Sequence, residues 1–387
     1  MQPTQPISQT ASQSLSPCLT QRYAHTHIDL HALAHNLSQV KTLAPKSKVL
    51  AMVKAKGYGH GATQILAGVA HADALGVACL EEALPLIEAG WQKPIVLIEG
   101  VFSAEEWASS QALNIECVIH NHVQLQWFLD CPHAIVSHKP IWLKLNTGMN
   151  RLGFSESEIV DIARQIHAKG NPIILTSHFA NADIIDHTMN HAQGQLFSKV
   201  LAQLKRQISP SVQGALCNSA GIVNFPQWHF DWVRPGIMLY GATPVIHKTA
   251  SALNLRPVMA FFAKIFALHD LSVGETVGYG SRWVARLPSR IGIVSIGYGD
   301  GYPRTLSESA YVTTDTGDKL PIIGRVAMDM LMVDLTQAPD TALNTTVQLW
   351  GDSPTIDEVA MWNNTISYEI LCKITQRPQW VYNDNGL

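Results

Sequence analysis

Short apolar runs alternate with amphipathic stretches from residue 26 to about 240, and this alternation is the strongest signal in the chain. The runs are Val49–Val53, Ala74–Cys79, Ile95–Ile98, Ile115–Ile119, Ile141–Leu145, Ile173–Thr176, Ala215–Cys217 and Trp232–Val233, which makes eight candidate strands. Helical patterns lie between most of them. Ile159, Ile162, Ala163 and Ile166 fall at the i, i+3, i+4, i+7 spacing of one helix face, and Leu196, Val200 and Leu204 mark a face after His187. Strands that are apolar throughout and separated by helices imply a parallel sheet covered on its outer face. Eight such units fit a closed (β/α)8 barrel or an open doubly wound sheet. The polar residues decide between the two. Lys54, Arg151, His178, Ser219 and Arg234 stand at or just past the C-terminal ends of their runs. A barrel gathers those ends at one mouth, where active sites form, whereas an open sheet spreads them along an edge. We therefore expect an α/β protein with an N-terminal TIM-like barrel.

After about residue 255 the helical periodicity fades. Strand-like runs with turn signals follow: Ile291–Ile296, a hairpin tip at Asp315–Gly317, Val326–Leu335 and Thr346–Trp350. This predicts a disordered tail over residues 1–24, a barrel over 25–254 and a mostly β domain over 255–387. A chain of 387 residues also exceeds the usual single core.

Composition sharpens this only a little. The chain is 47% hydrophobic and 15% charged with a net charge of -3, and no run of like charges offers nucleic acid a basic face. The six cysteines include no C-x-x-C pair, so they read as reduced thiols of a cytoplasmic protein. No apolar stretch approaches the roughly 20 residues that span a bilayer. The first two dozen residues lack the basic and apolar regions of a secretory signal.

The densest chemistry lies in Ala51-Met52-Val53-Lys54-Ala55-Lys56-Gly57-Tyr58-Gly59-His60-Gly61. A lysine that ends a buried strand is costly unless its charge is paired or its amine is put to use. Loss of hydration makes such an amine available to attack an aldehyde. Taken alone, the strand pattern favours a lysine that snorkels out of the barrel mouth. Further motifs follow in order. They are Leu145-Asn146-Thr147-Gly148-Met149-Asn150-Arg151-Leu152-Gly153, Ser177-His178-Phe179-Ala180 and Asn218-Ser219-Ala220, then Arg234-Pro235-Gly236-Ile237-Met238-Leu239-Tyr240-Gly241. The β domain adds Val277-Gly278-Tyr279-Gly280, Gly324-Arg325-Val326-Ala327-Met328-Asp329 and Ser367-Tyr368-Glu369-Ile370-Leu371.

This series resembles the alanine racemase family, whose members depend on pyridoxal 5'-phosphate (PLP), over all but the first two dozen residues. The resemblance implies that Lys54 carries PLP, with Lys56 a rival two residues on. It implies a phosphate cradle of Tyr58, Ser219, Tyr368 and the backbone amides of Gly236 and Ile237. Arg234 would face the pyridine nitrogen, and a guanidinium cannot hand that nitrogen a full proton. Carbanion character then stays near Cα, which suits simple reprotonation. Racemisation needs a base on each face of the substrate, and these would be Lys54 and Tyr279. A phenol ordinarily titrates near ~10, so Tyr279 needs cationic company, for which His178 and Arg234 are the candidates.

The family further implies that Tyr279 reaches its site from the other subunit of a homodimer with shared active sites. Arg151 would hold the substrate carboxylate, the backbone of Met328 would close the pocket, and Tyr302 would gate the entrance. Lys144 matches a lysine that some members carbamylate. Asn146 departs from a frequent acid and Ala327 from a frequent cysteine, which bears on affinity more than on chemistry. The expected reaction interconverts L- and D-alanine and supplies D-alanine for peptidoglycan, without metal, membrane or nucleic acid. A serine or broad-specificity racemase is the nearest alternative. A PLP-dependent decarboxylase would pair the pyridine nitrogen with a carboxylate, where this chain has Arg234. A non-catalytic PLP-binding regulatory protein would have no need of Tyr279 or Met328.

Overall fold

The computed structural model describes residues 23–113, 115–131 and 139–383. The expected tail lies outside these residues except for Tyr23 and Ala24, and Ala24 is buried.

All eight sequence-predicted runs form strands. After an opening strand β1 (His25–Asp29) come β2 (Lys48–Met52), β3 (Ala74–Val77), β4 (Ile95–Leu97), β5 (Glu116–Ile119), β6 (Ile141–Lys144), β7 (Ile173–Thr176), β8 (Gln213–Asn218) and β9 (Trp232–Arg234). Strands β2 to β9 pair in parallel in chain order, and β9 returns to β2 to close the barrel. Helices cover its outside. In the helix Ile159–Ala168 the four residues Ile159, Ile162, Ala163 and Ile166 are all buried, as the spacing predicts. Val200 and Leu204 are buried in the helix Thr188–Gln207, with Leu196 partly so.

The second unit is a predominantly antiparallel sheet. Its strands are β10 (Met259–Leu271), a small hairpin of β11 (Thr276–Val277) and β12 (Trp283–Val284), then β13 (Ser289–Val294), β14 (Tyr311–Thr314), β15 (Lys319–Ile323), β16 (Leu331–Asp334), β17 (Thr346–Trp350) and β18 (Gln379–Asn383). The expected hairpin tip falls between β14 and β15, which pair antiparallel. The long β10 lies against β17 and β1 over its first half and against β13 over its second, with a register shift between Ile265 and Ala267.

One expectation is corrected here. The sequence assigns residue 25 onward to the barrel, but β1 inserts between β10 and β18 and so belongs to the C-terminal sheet. The strand was hard to read because one of its two buried side chains, Thr26, is polar. Asp29 then ends β1 and caps the helix Leu30–Leu43 by accepting the Ala32 amide at 3.0 Å. Among the described residues no helix is long and apolar enough to cross a membrane.

Candidate active site

The strand ends of the barrel and one helix of the C-terminal unit enclose a cavity of about 680 Å3. Lys54, Lys144, Arg151 and Arg234 line it, and Glu99 is the sole acid among the described lining residues. Such a charge balance suits a ligand carrying phosphate and carboxylate groups.

Lys54 owes its place to an unusual turn. Directly after it the backbone runs left-handed, with φ of 52° at Ala55, 55° at Lys56, 64° at Gly57, 52° at Tyr58 and 83° at Gly59. L-residues resist this region by roughly 1–2 kcal/mol each, so the surroundings must hold it. Buried His60 helps, because its Nδ1–H reaches the carbonyls of Tyr58 at 2.9 Å and Gly57 at 3.1 Å. The turn directs Lys54 and Tyr58 into the cavity and leaves Lys56 exposed outside its lining. Between the two rival lysines, only Lys54 faces the site.

Arg234 is buried, which lowers its pKa to about 10 and still leaves it charged at neutral pH. One terminal nitrogen donates to Thr176 Oγ1 (3.1 Å) and Ala215 O, the other to Ser177 O and Leu216 O (3.1 Å). Its Nε–H alone is left without an acceptor among the described residues. His178 Nδ1 lies 3.4 Å from the second terminal nitrogen. A guanidinium only donates, so Nδ1 accepts and the imidazole proton sits on Nε2. Burial, then the charges of Lys144 and Arg234, hold the His178 pKa well below its usual value.

Hydroxyls cluster on one wall. Ser219 Oγ accepts the Gly236 amide at 2.8 Å, which leaves its own O–H free to donate elsewhere. A Cβ on Gly236 would collide with Tyr58 Oη, so glycine is what lets that hydroxyl approach the backbone. The Tyr58 ring stacks on Tyr240 at 4.7 Å and lies 5.9 Å from Tyr368, which arrives on the helix Ser367–Cys372. Burial, helped by Asp183 and Asp357, pushes the Tyr368 phenol up to about 12, and burial raises Tyr58 too, so both remain protonated donors. Ile237 is fully buried and lies outside the lining.

Residues 28–244 match the family model described as the alanine racemase N-terminal domain, and residues 258–382 match the alanine racemase C-terminal domain. The chain belongs to the alanine racemase family. An alanine racemase from Psychrobacter sp. (strain PRwf-1) is 50% identical over 370 residues, covering 92% of this chain and 98% of that relative. The alanine racemase structure from Acinetobacter baumannii superposes with a TM-score of 0.88 at 44% identity, covering 94% of this chain and 100% of that one. A Bartonella henselae alanine racemase with covalently bound pyridoxal phosphate gives 0.84 at 29% identity, covering 93% and 99%. The family is one of PLP-dependent isomerases, and its reaction interconverts L- and D-alanine.

Not every expected alanine racemase residue gathers in this cavity. Tyr279 is 72% exposed and Met328 53% exposed, and neither lines the cavity of its own chain. Tyr302 requires correction. It is 1% exposed, stacked against Trp350 in the core of the second unit, so it cannot gate an entrance. Tyr298 is the tyrosine of that loop which faces solvent, at 40% exposed. Asn146 accepts the amides of Gly148 (3.0 Å) and Asn150 (3.1 Å) and so shapes the loop leading to Arg151.

The sequence reading passed over Leu50, Met52, Trp142 and Cys372, all of which line the cavity. The first three had a usable signal. Leu50 and Met52 precede Lys54, and Trp142 precedes Lys144, by steps of two on one strand face. Cys372 had none, because its helix reaches the mouth only through packing of the C-terminal unit.

Proposed function

We propose that this chain racemises alanine with PLP held in the barrel-mouth cavity through Lys54, in a homodimer whose second copy supplies Tyr279 to each site. The observation that carries the reading is the convergence of Lys54, the Tyr58–Ser219–Tyr368 hydroxyls and Arg234 on one cationic cavity. The donor set fits the cofactor. Neutral hydroxyls suit the phosphate, and the Nε–H of Arg234 suits a pyridine nitrogen that accepts without being protonated. When bound, the cofactor takes up the electron pair left at Cα, which no side chain here can do.

The residues supply the rest. Lys54 Nζ moves the proton on one face, and the Tyr279 hydroxyl of the second copy moves it on the other. Neutral His178, with Nδ1 turned to Arg234, carries its proton on Nε2 and so would donate a hydrogen bond to the oxygen of that hydroxyl. Arg151 grips the substrate carboxylate, and the Met328 backbone of the second copy closes the pocket. Burial, then the charges of Arg234 and Arg151, hold the Lys144 pKa well below its usual value. A neutral amine adds CO2 with loss of one proton, and the resulting carbamate would replace a repelling cation beside Arg151 by an anion. Free thiols at Cys79, Cys117, Cys131, Cys217 and Cys372 agree with the cytoplasm, where D-alanine for peptidoglycan is made.

The deciding experiment follows purified protein with added PLP, measuring D-alanine from L-alanine and D-serine from L-serine in parallel. Rapid D-alanine formation with slower serine turnover is expected. Serine as the faster substrate would reassign specificity, and no turnover of either would remove the catalytic reading.

A further inference from the structure

Glu82 stands beside Lys54 without a part in the chemistry so far. It lies in the first turn of the helix Leu80–Glu88, after β3. One carboxylate oxygen accepts the amide of Ala78 at 2.9 Å, which is an ordinary service to its own helix start. The other accepts the amide of Ala55 at 2.7 Å, across to the neighbouring strand. Ala55 directly follows Lys54 and opens the left-handed turn. Within that turn the amides of Gly57, Gly59 and Gly61 bond back to Val53, Ala55 and Lys56. The Ala55 amide precedes these closures and is met instead by the carboxylate. A hydrogen bond to an ionised acceptor is roughly twice as strong as a neutral one.

We infer that Glu82 is a positioning residue for Lys54, fixing the Lys54–Ala55 peptide and with it the direction in which the lysine side chain leaves the backbone. The inference rests on Lys54 being one of the two bases. A flexible four-carbon side chain delivers its amine to a proton only if its root is fixed, and a small misplacement slows transfer sharply. Helix capping alone accounts for the Ala78 bond and not for the Ala55 bond. A glutamine at this position can accept only one of the two amides, because its other end is itself a donor.

The test compares Glu82→Gln and Tyr279→Phe with the parent protein, each loaded with PLP, using L- and D-alanine deuterated at Cα. The two enantiomers have equal free energy, so kcat/KM must fall by the same factor in both directions and cannot reveal which base is affected. The deuterium isotope effect can. For Glu82→Gln we expect about a tenfold fall in kcat, an unchanged visible cofactor band, and an isotope effect that rises for one enantiomer only. Tyr279→Phe should raise it for the opposite enantiomer. An unchanged or evenly raised effect in Glu82→Gln, beside a one-sided rise in Tyr279→Phe, overturns the role of Glu82 and leaves the two-base reading standing. One-sided effects in neither variant overturn both. If Glu82→Gln does not fold, Glu82→Asp keeps the charge and draws the carboxylate back by one methylene. It should show the same one-sided rise at smaller size, and its absence overturns the proposal.

Discussion

The barrel mouth and the Tyr279 loop are built on opposite plans. In the mouth, buried Arg234 has acceptors for all four terminal hydrogens, and Ser219, His178 and the Lys54 turn are bonded within the same chain. Tyr279 is 72% exposed in a short turn between two glycines, and Met328 is 53% exposed on another loop of the same unit. The first region is preorganised by its own chain, which is what transition-state stabilisation requires. The second turns an aromatic and an apolar side chain outward. One half of the site is complete in one chain, and on the proposed reading the other half is presented to a second copy.

The largest effect should come from the mouth. Lys54→Ala is expected to lower racemisation by about 10^4-fold or more, since base and cofactor tether are lost together. The visible band of the bound cofactor should disappear with it. Retention of that band after dialysis would move the tether elsewhere, with Lys56 next to be tested.

The second effect probes the other region. Tyr279→Phe should lower turnover about a thousandfold while the cofactor band survives. Mixing it with Lys54→Ala, under conditions where subunits exchange, makes the comparison quantitative. A hybrid dimer then carries one doubly altered and one intact site, so the mixture should regain roughly a quarter of the parent activity. No recovery, with exchange verified by mass, would place Tyr279 and Lys54 in sites that are not shared.

The two regions also differed in how far the sequence revealed them. The eight barrel strands were legible because strands buried on both faces read as unbroken apolar runs, and their ends named Lys54, Arg151, His178, Ser219 and Arg234 directly. The C-terminal unit was legible in class but not in topology. Strand β1 joins it from the far end of the chain, a long-range pairing that no local pattern encodes. Tyr302 and Tyr298 occupy the same loop, and only packing against Trp350 shows which is core. Glu82 was invisible for a related reason. Its first bond is a common helix start, and its second depends on the left-handed path of a different loop.

A smaller effect separates two residues within the mouth. Lys144 and Arg151 line the same cavity, and burial together with Arg234 and Arg151 holds the Lys144 amine well below its usual pKa. Protein equilibrated with 13C-labelled bicarbonate should therefore show a carbamate resonance that is absent in Lys144→Met. The variant should raise the KM for alanine about tenfold through a less well-held Arg151, with kcat changed less. A spectrum without the resonance, from protein of full activity, would remove the carbamate from the site.

The smallest effect concerns stability and sets the two regions apart by acid. His269 is the one histidine among residues 255–387, and it is exposed. The mouth instead buries His60, whose pKa burial lowers from 6.5 to about 4 despite its bonds to Tyr58 and Gly57. Between those values the unfolded chain takes up a proton that the folded chain refuses. Stability is therefore intact above pH 6.5 and declines as the pH falls towards 4. From pH 7 to pH 5 this one group should cost about 2 kcal/mol of unfolding free energy. Urea unfolding of parent and His60→Phe, at equal protomer concentration, isolates the term, because other titrating groups contribute to both. The variant should be less stable at pH 7 for want of the two turn bonds, yet lose less on acidification. An equal loss in both proteins would mean that the folded turn accommodates a charged His60, and the acid sensitivity would then have to come from other groups, buried His178 first among them.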